Sequence, residues 1–225
     1  MKEIPVFVNI RILALCIARF LQSMGGAMFI PILPMYISVL EDNLPFALPI
    51  ELKAGILVSL FGLSMTIIQN PIAYLSDRLG RRKILVLGAI IAFSLLSLWI
   101  SEIQTYLELI TLRSLQGICV GITIPLLMVL VSDYSAHENR GKAMGIYSTF
   151  HLLGFVVGPL IGGMITDFYG FRAAFYAGGI VGLLCFLFLA LFIPEKANPP
   201  LSKKEHKEQN QVSLKDQYIL GTALF

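Results

Sequence analysis

Charge is scarce in this chain. Only 14% of its 225 residues are Asp, Glu, Lys or Arg, where soluble domains carry about 25%. Hydrophobic residues make up 56%, which excludes an ordinary soluble domain. Cysteine is sparse as well: Cys16, Cys119 and Cys185 each fall inside an apolar run with no paired spacing. They read as small packing residues, not as disulfide partners or metal ligands. No cleavable signal peptide is visible, because the first apolar run is too long and holds Arg19. Nucleophile–base pairs, phosphate-binding glycine loops and metal-ligand spacings are missing too. That disfavours an enzyme and implies no cofactor and no metal.

What remains is apolar sequence in runs long enough to span a bilayer, which takes roughly 20 residues. Six can be read, at about 10–38, 52–75, 84–101, 105–131, 142–166 and 173–193. The polar stretch 194–217, with two adjacent prolines and mixed charge, reads as a flexible linker. Residues 218–225 turn apolar again and read as the start of a seventh helix. Their stop at Phe225 leads to the expectation of a truncated chain.

Basic residues give the orientation. With the N-terminus inside, the cytoplasmic segments hold Lys2, Arg78, Arg81, Arg82, Lys83, Arg140, Lys142, Lys196, Lys203, Lys204, Lys207 and Lys215. The opposite side holds only Lys53 and Arg172. This asymmetry predicts an integral protein of the cell (inner) membrane with both termini cytoplasmic. It also accounts for the net charge of +3 without a nucleic-acid partner.

The chain repeats itself. Arg19, Leu21, Gln22, Ile30, Pro31 and Leu33 recur 94 residues later as Arg113, Leu115, Gln116, Ile124, Pro125 and Leu127. At an offset of 90, Asp77, Gly80, Arg82 and Gly88 recur as Asp167, Gly170, Arg172 and Gly178. Three hydrophobic segments copied once are the mark of a secondary-transporter half. The predicted fold is therefore all-α and polytopic. Six transmembrane helices over 1–193 would form two inverted three-helix repeats, about 10–101 and 105–193.

Three motifs stand out. Ala73-x-Leu75-x-Asp77-Arg78-x-Gly80-Arg81-Arg82-x-x-Leu85 joins spans two and three. A bland cytoplasmic loop explains its arginines but not its carboxylate or its glycine. Arg113-x-x-Gln116-Gly117 lies inside span four, with Arg19 and Gln22 at the equivalent place in span one. An intramembrane arginine costs at least ~2.5–3.5 kcal/mol to insert, so it marks a functional site by default. The alternative is a side chain snorkelling to the outer interface near Glu108. Gly154-x-x-x-Gly158-Pro159-x-x-Gly162-Gly163 dominates span five. Glycines at that spacing let another helix approach closely, and the proline bends the helix.

These segments resemble the major facilitator superfamily, over residues 10 to about 194. The first matches the family's loop between helices 2 and 3, G-x-L-x-D-R-x-G-R-R-x-x-L, at every marked position except Ala73. The second resembles its helix-4 motif, and the third the motif that marks drug:proton antiporters. Arg140-Gly141-Lys142-Ala143-Met144-Gly145 also starts span five as family members do, and Pro31 and Pro34 fit its first-helix pattern.

The resemblance implies half of a twelve-helix transporter, with a small-molecule substrate and protons as partners, alongside the lipid bilayer and a missing C-terminal half or second copy. The implied activity is proton-coupled efflux of small or amphipathic compounds by alternating access. On that reading Asp77, Arg78, Gly80, Arg81 and Arg82 form a cytoplasmic gate. Arg19, Gln22, Arg113, Gln116 and His151 line the cavity or proton pathway. Gly154, Gly158, Pro159, Gly162 and Gly163 let span five bend and slide against the absent half. A nutrient or metabolite symporter or uniporter is the alternative within transport. A non-transporting fragment, at most a binding partner, is the alternative outside it. Spans one and four carry no deep carboxylate of the kind many family antiporters use. Either the protonation site lies elsewhere or the coupling differs.

Overall fold

Proline and glycine set the helix boundaries. The computed structural model describes residues 10–43 and 48–194. The expected linker from 195 onward and the seventh-helix start at 218–225 lie outside the described residues. Helix α1 runs Ile10–Ala27, and α2 follows at Ile32–Ile37. Between them Pro31 has no N–H to continue the ladder and disfavours helical backbone at Ile30. The ladder tightens there, with Ile30 N bonding Ala27 O at 3.1 Å and Ile32 N bonding Phe29 O at 3.1 Å.

Helices α3 (Ile50–Leu79), α4 (Arg82–Ile100), α5 (Tyr106–Tyr134) and α6 (Arg140–Phe192) complete the bundle. Gly80 ends α3 in the left-handed region, φ 63°, its N–H bonding Ser76 O at 2.9 Å. A side chain there would be strained, so the tight turn into α4 requires glycine. A Thr105–Glu108 capping box starts α5.

Among the described residues, five helical stretches are long and apolar enough to cross a membrane, with α1 and α2 forming the first. The last, His137–Phe192, is 56 residues long, well beyond the roughly 20 a bilayer needs. Within it, α6 contains one non-helical position, Gly170, at φ 83° and ψ 173°. Gly80 and Gly170 are the only positive-φ glycines among the described residues, and they are the pair matched at the 90-residue offset. The helix keeps helical backbone through Pro159; its break lies at Gly170.

Small residues decide which helices touch. Gly154 and Gly158 of α6 lie against the α1 backbone at Phe20 and Met24, and Gly162 against Met28 in the turn that follows α1. Gly117 and Gly121 of α5 lie against α3 at Phe61 and Met65, where an added Cβ would sit 2.5 Å from either carbonyl oxygen. Gly179 and Gly182 bring α6 onto α4 at Ser94 and Leu98. This corrects the sequence expectation for span five. Its glycine face is already occupied by α1, and Gly163 points elsewhere, with nothing within 4 Å of an added Cβ. Around these contacts run two cores, one built on Leu15, Leu126 and Val131, the other on Phe29, Leu109 and Phe175. Outward, α3 and α6 expose Leu63, Ile67, Val156 and Leu160, an apolar surface typical of a protein that sits in lipid or against another apolar body.

Candidate functional site

Between α1, α3, α5 and α6 lies a cavity of about 400 Å³, with Phe93 of α4 at its back. Its polar lining is Arg19, Gln22, Ser23, Arg113 and His151, set among aliphatic and aromatic side chains. Both arginines are buried, Arg19 at 6% and Arg113 at 4% exposure.

The two repeat-related pairs adopt the same local arrangement. Arg19 Nη1 donates to Gln22 Oε1 at 3.0 Å, and Arg113 Nη1 donates to Gln116 Oε1 at 3.0 Å. Spacing of three residues puts both partners on one helix face. Aromatic faces flank the cations: Tyr147 lies 5.8 Å from Arg19, and Phe29 lies 4.8 Å from Arg113. Such contacts are worth roughly 0.5–2 kcal/mol and leave the charge in place.

Beyond those bonds the pairs diverge. Gln22 stays at the cavity wall and its amide donates to Thr123 Oγ1 of α5. Gln116 is fully buried and turns away from the cavity. Its Nε2 donates to Ser97 Oγ of α4 at 2.8 Å, so it anchors Arg113 from behind. The snorkelling alternative also fails. Glu108 is engaged at the α5 N-terminus, accepting from the N–H groups of Gln104 and Thr105 at 3.1 Å each, while Arg113 points inward to Gln116. On α6, His151 Nδ1 shares a hydrogen bond with Ser23 Oγ of α1, and its ring meets Phe155 edge-on.

Ion pairs hold the two ends of the bundle. At one end Arg82, opening α4, holds Asp133 near the end of α5 at 2.5 Å. Beside it Lys83 Nζ donates to Ala190 O at 2.9 Å, and Arg11 lies over the Tyr134 ring. Of the expected gate loop, Arg82 is thus engaged and Gly80 makes the turn. Arg78 and Arg81 flank that turn and are exposed. The Asp77 side chain lies outside the described residues. At the opposite end Lys53, buried at 7%, holds Asp42 at 2.5 Å. Arg172 approaches Glu102 at 3.9 Å. The Tyr176 hydroxyl donates to Glu102 and holds that carboxyl below the usual carboxylate range, with Arg172 adding to the effect.

Several of these partners went unread in the sequence. Thr123, Ser97 and Ser23 are single hydroxyls in apolar runs, and nothing local marks them. Tyr147 was legible in principle, since it precedes His151 by four residues and so shares its face.

The fold and site together define a membrane-embedded helical bundle around a half-open, mostly apolar cavity that holds two buried arginines. The family model of the Major Facilitator Superfamily matches residues 15–225, and the chain belongs to that superfamily. It is 30% identical over 208 residues to the multidrug resistance protein MdtG of Proteus mirabilis, covering 92% of this chain and 50% of that one. It is 32% identical over 201 residues to MdtG of Enterobacter lignolyticus, covering 88% and 47%. The chain therefore spans about half the length of the curated relatives it matches. Among solved structures, the POT family transporter PepTSo superposes with a TM-score of 0.75 at 15% identity, over 90% of this chain and 40% of that one. A peptide transporter POT in complex with sulfate gives 0.71 at 15% identity, over 95% and 45%. At that identity the likeness speaks for the fold alone.

Proposed function

We propose that this chain forms one six-helix half of a secondary transporter that exports small amphipathic compounds by alternating access, in exchange for protons. The cavity carries the reading: about 400 Å³, apolar in most of its lining, with Arg19, Gln22, Arg113 and His151 converging on it. Sites for small molecules have that character, largely hydrophobic with a few placed polar groups. The similarity to two proteins named for multidrug resistance supports efflux over uptake.

In this scheme α6 counts as two spans hinged at Gly170, and two inverted repeats build the bundle. The helix pairing supports that division. Under the repeat, α1 corresponds to α5 and α3 to the first arm of α6, so the glycine-packed pairs α1–α6 and α5–α3 are equivalents. The basic asymmetry puts both termini and the Arg82–Asp133 pair on the cytoplasmic side, and Asp77 to Arg82 gates that side. The cavity faces a second bundle within the length that the relatives have beyond this half.

The test is flux in energised vesicles carrying the protein that contains these residues, with a panel of amphipathic dyes and drugs. Gradient-dependent transport of at least one compound, lost in the Arg19→Gln/Arg113→Gln variant, is expected. No gradient-dependent flux of any compound would overturn the reading.

A further inference from the structure

The end of the bundle opposite the Arg82–Asp133 pair is tied together by a short segment. Residues 38–43, which follow α2, lie on the turn between α4 and α5. Glu41 N–H donates to Gln104 O at 2.9 Å, and Tyr106 N–H donates to Glu41 O at 3.2 Å. Together they make one parallel bridge between Glu41 and Thr105. Leu107 N–H donates to Asn43 Oδ1 at 3.4 Å. Just before this segment the Tyr36 hydroxyl donates to Ile100 O at 3.0 Å. Tyr106 brings in α3 as well. Its hydroxyl donates to Lys53 O at 2.7 Å, and its ring lies 5.5 Å from Lys53 Nζ.

Charge closes the strap. Lys53 is buried, while Asp42, its ion-pair partner at 2.5 Å, keeps 39% of its side chain exposed. The other described carboxylates at this end are engaged or in solvent. Glu102 is taken up by Tyr176 and Arg172, Glu108 caps α5, and Glu41 and Glu51 are exposed. Without Asp42 the ammonium would be a buried charge with no counter-charge, which is strongly unfavourable. The long lysine stem would then carry its head out to water. Leu33 and Leu57 relate the strap to the cavity, since both line it. Tyr36 lies three residues beyond Leu33 on α2, and Lys53 lies four residues before Leu57 on α3. Each pair therefore shares one helix face. We propose that residues 38–43 form a strap across the far end of the cavity, latched by Asp42 on Lys53, and that without this carboxylate α2 and α3 part. The latch is a property of this bundle and does not rest on the transport reading.

The test reads hydrogen exchange by mass spectrometry, on the protein that contains these residues, held in zwitterionic nanodiscs. Peptides covering 38–43 and 103–107 report the strap, and the α1–α6 seam around Gly158 is the control. Asp42→Asn should speed strap exchange by roughly tenfold or more and leave the seam unchanged. Lys53→Met removes the cation and leaves a carboxylate that water reaches, so it should speed exchange by less than roughly threefold. Asp42→Asn/Lys53→Met should resemble Lys53→Met, because no buried charge is stranded. Access to the cavity is read at Leu33→Cys with a water-soluble maleimide, the native cysteines being replaced by serine. Labelling should quicken about fivefold on adding Asp42→Asn, and return to within about twofold of the parent when Lys53→Met is added as well. Unchanged strap exchange in Asp42→Asn, or equal opening by Lys53→Met, overturns the latch. Strap opening without faster labelling overturns its hold on the cavity. Helical content is checked first. If Asp42→Asn does not fold, recovery of the fold on adding Lys53→Met supports the stranded charge, and a double variant as unfolded as the single refutes it.

Discussion

Replacing Gly158 with alanine tests the central packing assignment of the fold, the seam between α1 and α6. An alanine Cβ there would lie 2.6 Å from Met24 O and 2.9 Å from Ala27 Cβ. Ordinary van der Waals contact begins at 3.4 Å, so the two helices must part by roughly 0.8 Å along that line. Over-packing of this kind costs about 1–3 kcal/mol. Alanine also helps a helix by up to about 1 kcal/mol relative to glycine, which blurs a single measurement. Gly163 supplies the control. It belongs to the same helix and the same motif, but a Cβ added there meets nothing within 4 Å. The propensity gain cancels between Gly158→Ala and Gly163→Ala, and the difference isolates the seam. Equilibrium unfolding in mixed micelles should place Gly158→Ala about 1–3 kcal/mol below Gly163→Ala. Equal midpoints would refute the assignment and return the glycine face to an absent partner.

That seam also marks where sequence reasoning stops. The spacing of Gly154, Gly158 and Gly162 announced a close helix contact but not its partner. The complementary signal was in the chain, since Ser23 and Ala27 put small side chains four residues apart on α1, opposite the glycines. The repeat told more. Equivalent glycines mark the turn after α3 and the break in α6, because a left-handed backbone position tolerates little else. The site was legible to the level of the helix face. Arg19 and Arg113 announced themselves through the cost of burial, and the structure brings both to one cavity. Gln22 and Gln116 look alike in sequence, yet one lines the cavity and the other backs it, because their neighbours differ. Thr123 meets the first and Ser97 the second. Which hydroxyl stands across a helix interface is a tertiary fact, and no periodicity encodes it. The Arg82–Asp133 pair hid for the same reason, its members being 51 residues apart.

The remaining predictions concern the ion pair and the topology. Arg82 and Asp133 are half-buried and hydrogen-bonded at 2.5 Å. A double-mutant cycle with Arg82→Gln and Asp133→Asn, read by equilibrium unfolding, should give a coupling energy of about 1.5–3 kcal/mol; a value near zero would reduce the pair to a surface contact. With the native cysteines replaced by serine, cysteines at Asn43 and Ser202 should label oppositely with an impermeant thiol reagent in intact cells, and labelling of both from outside would sink the proposed topology.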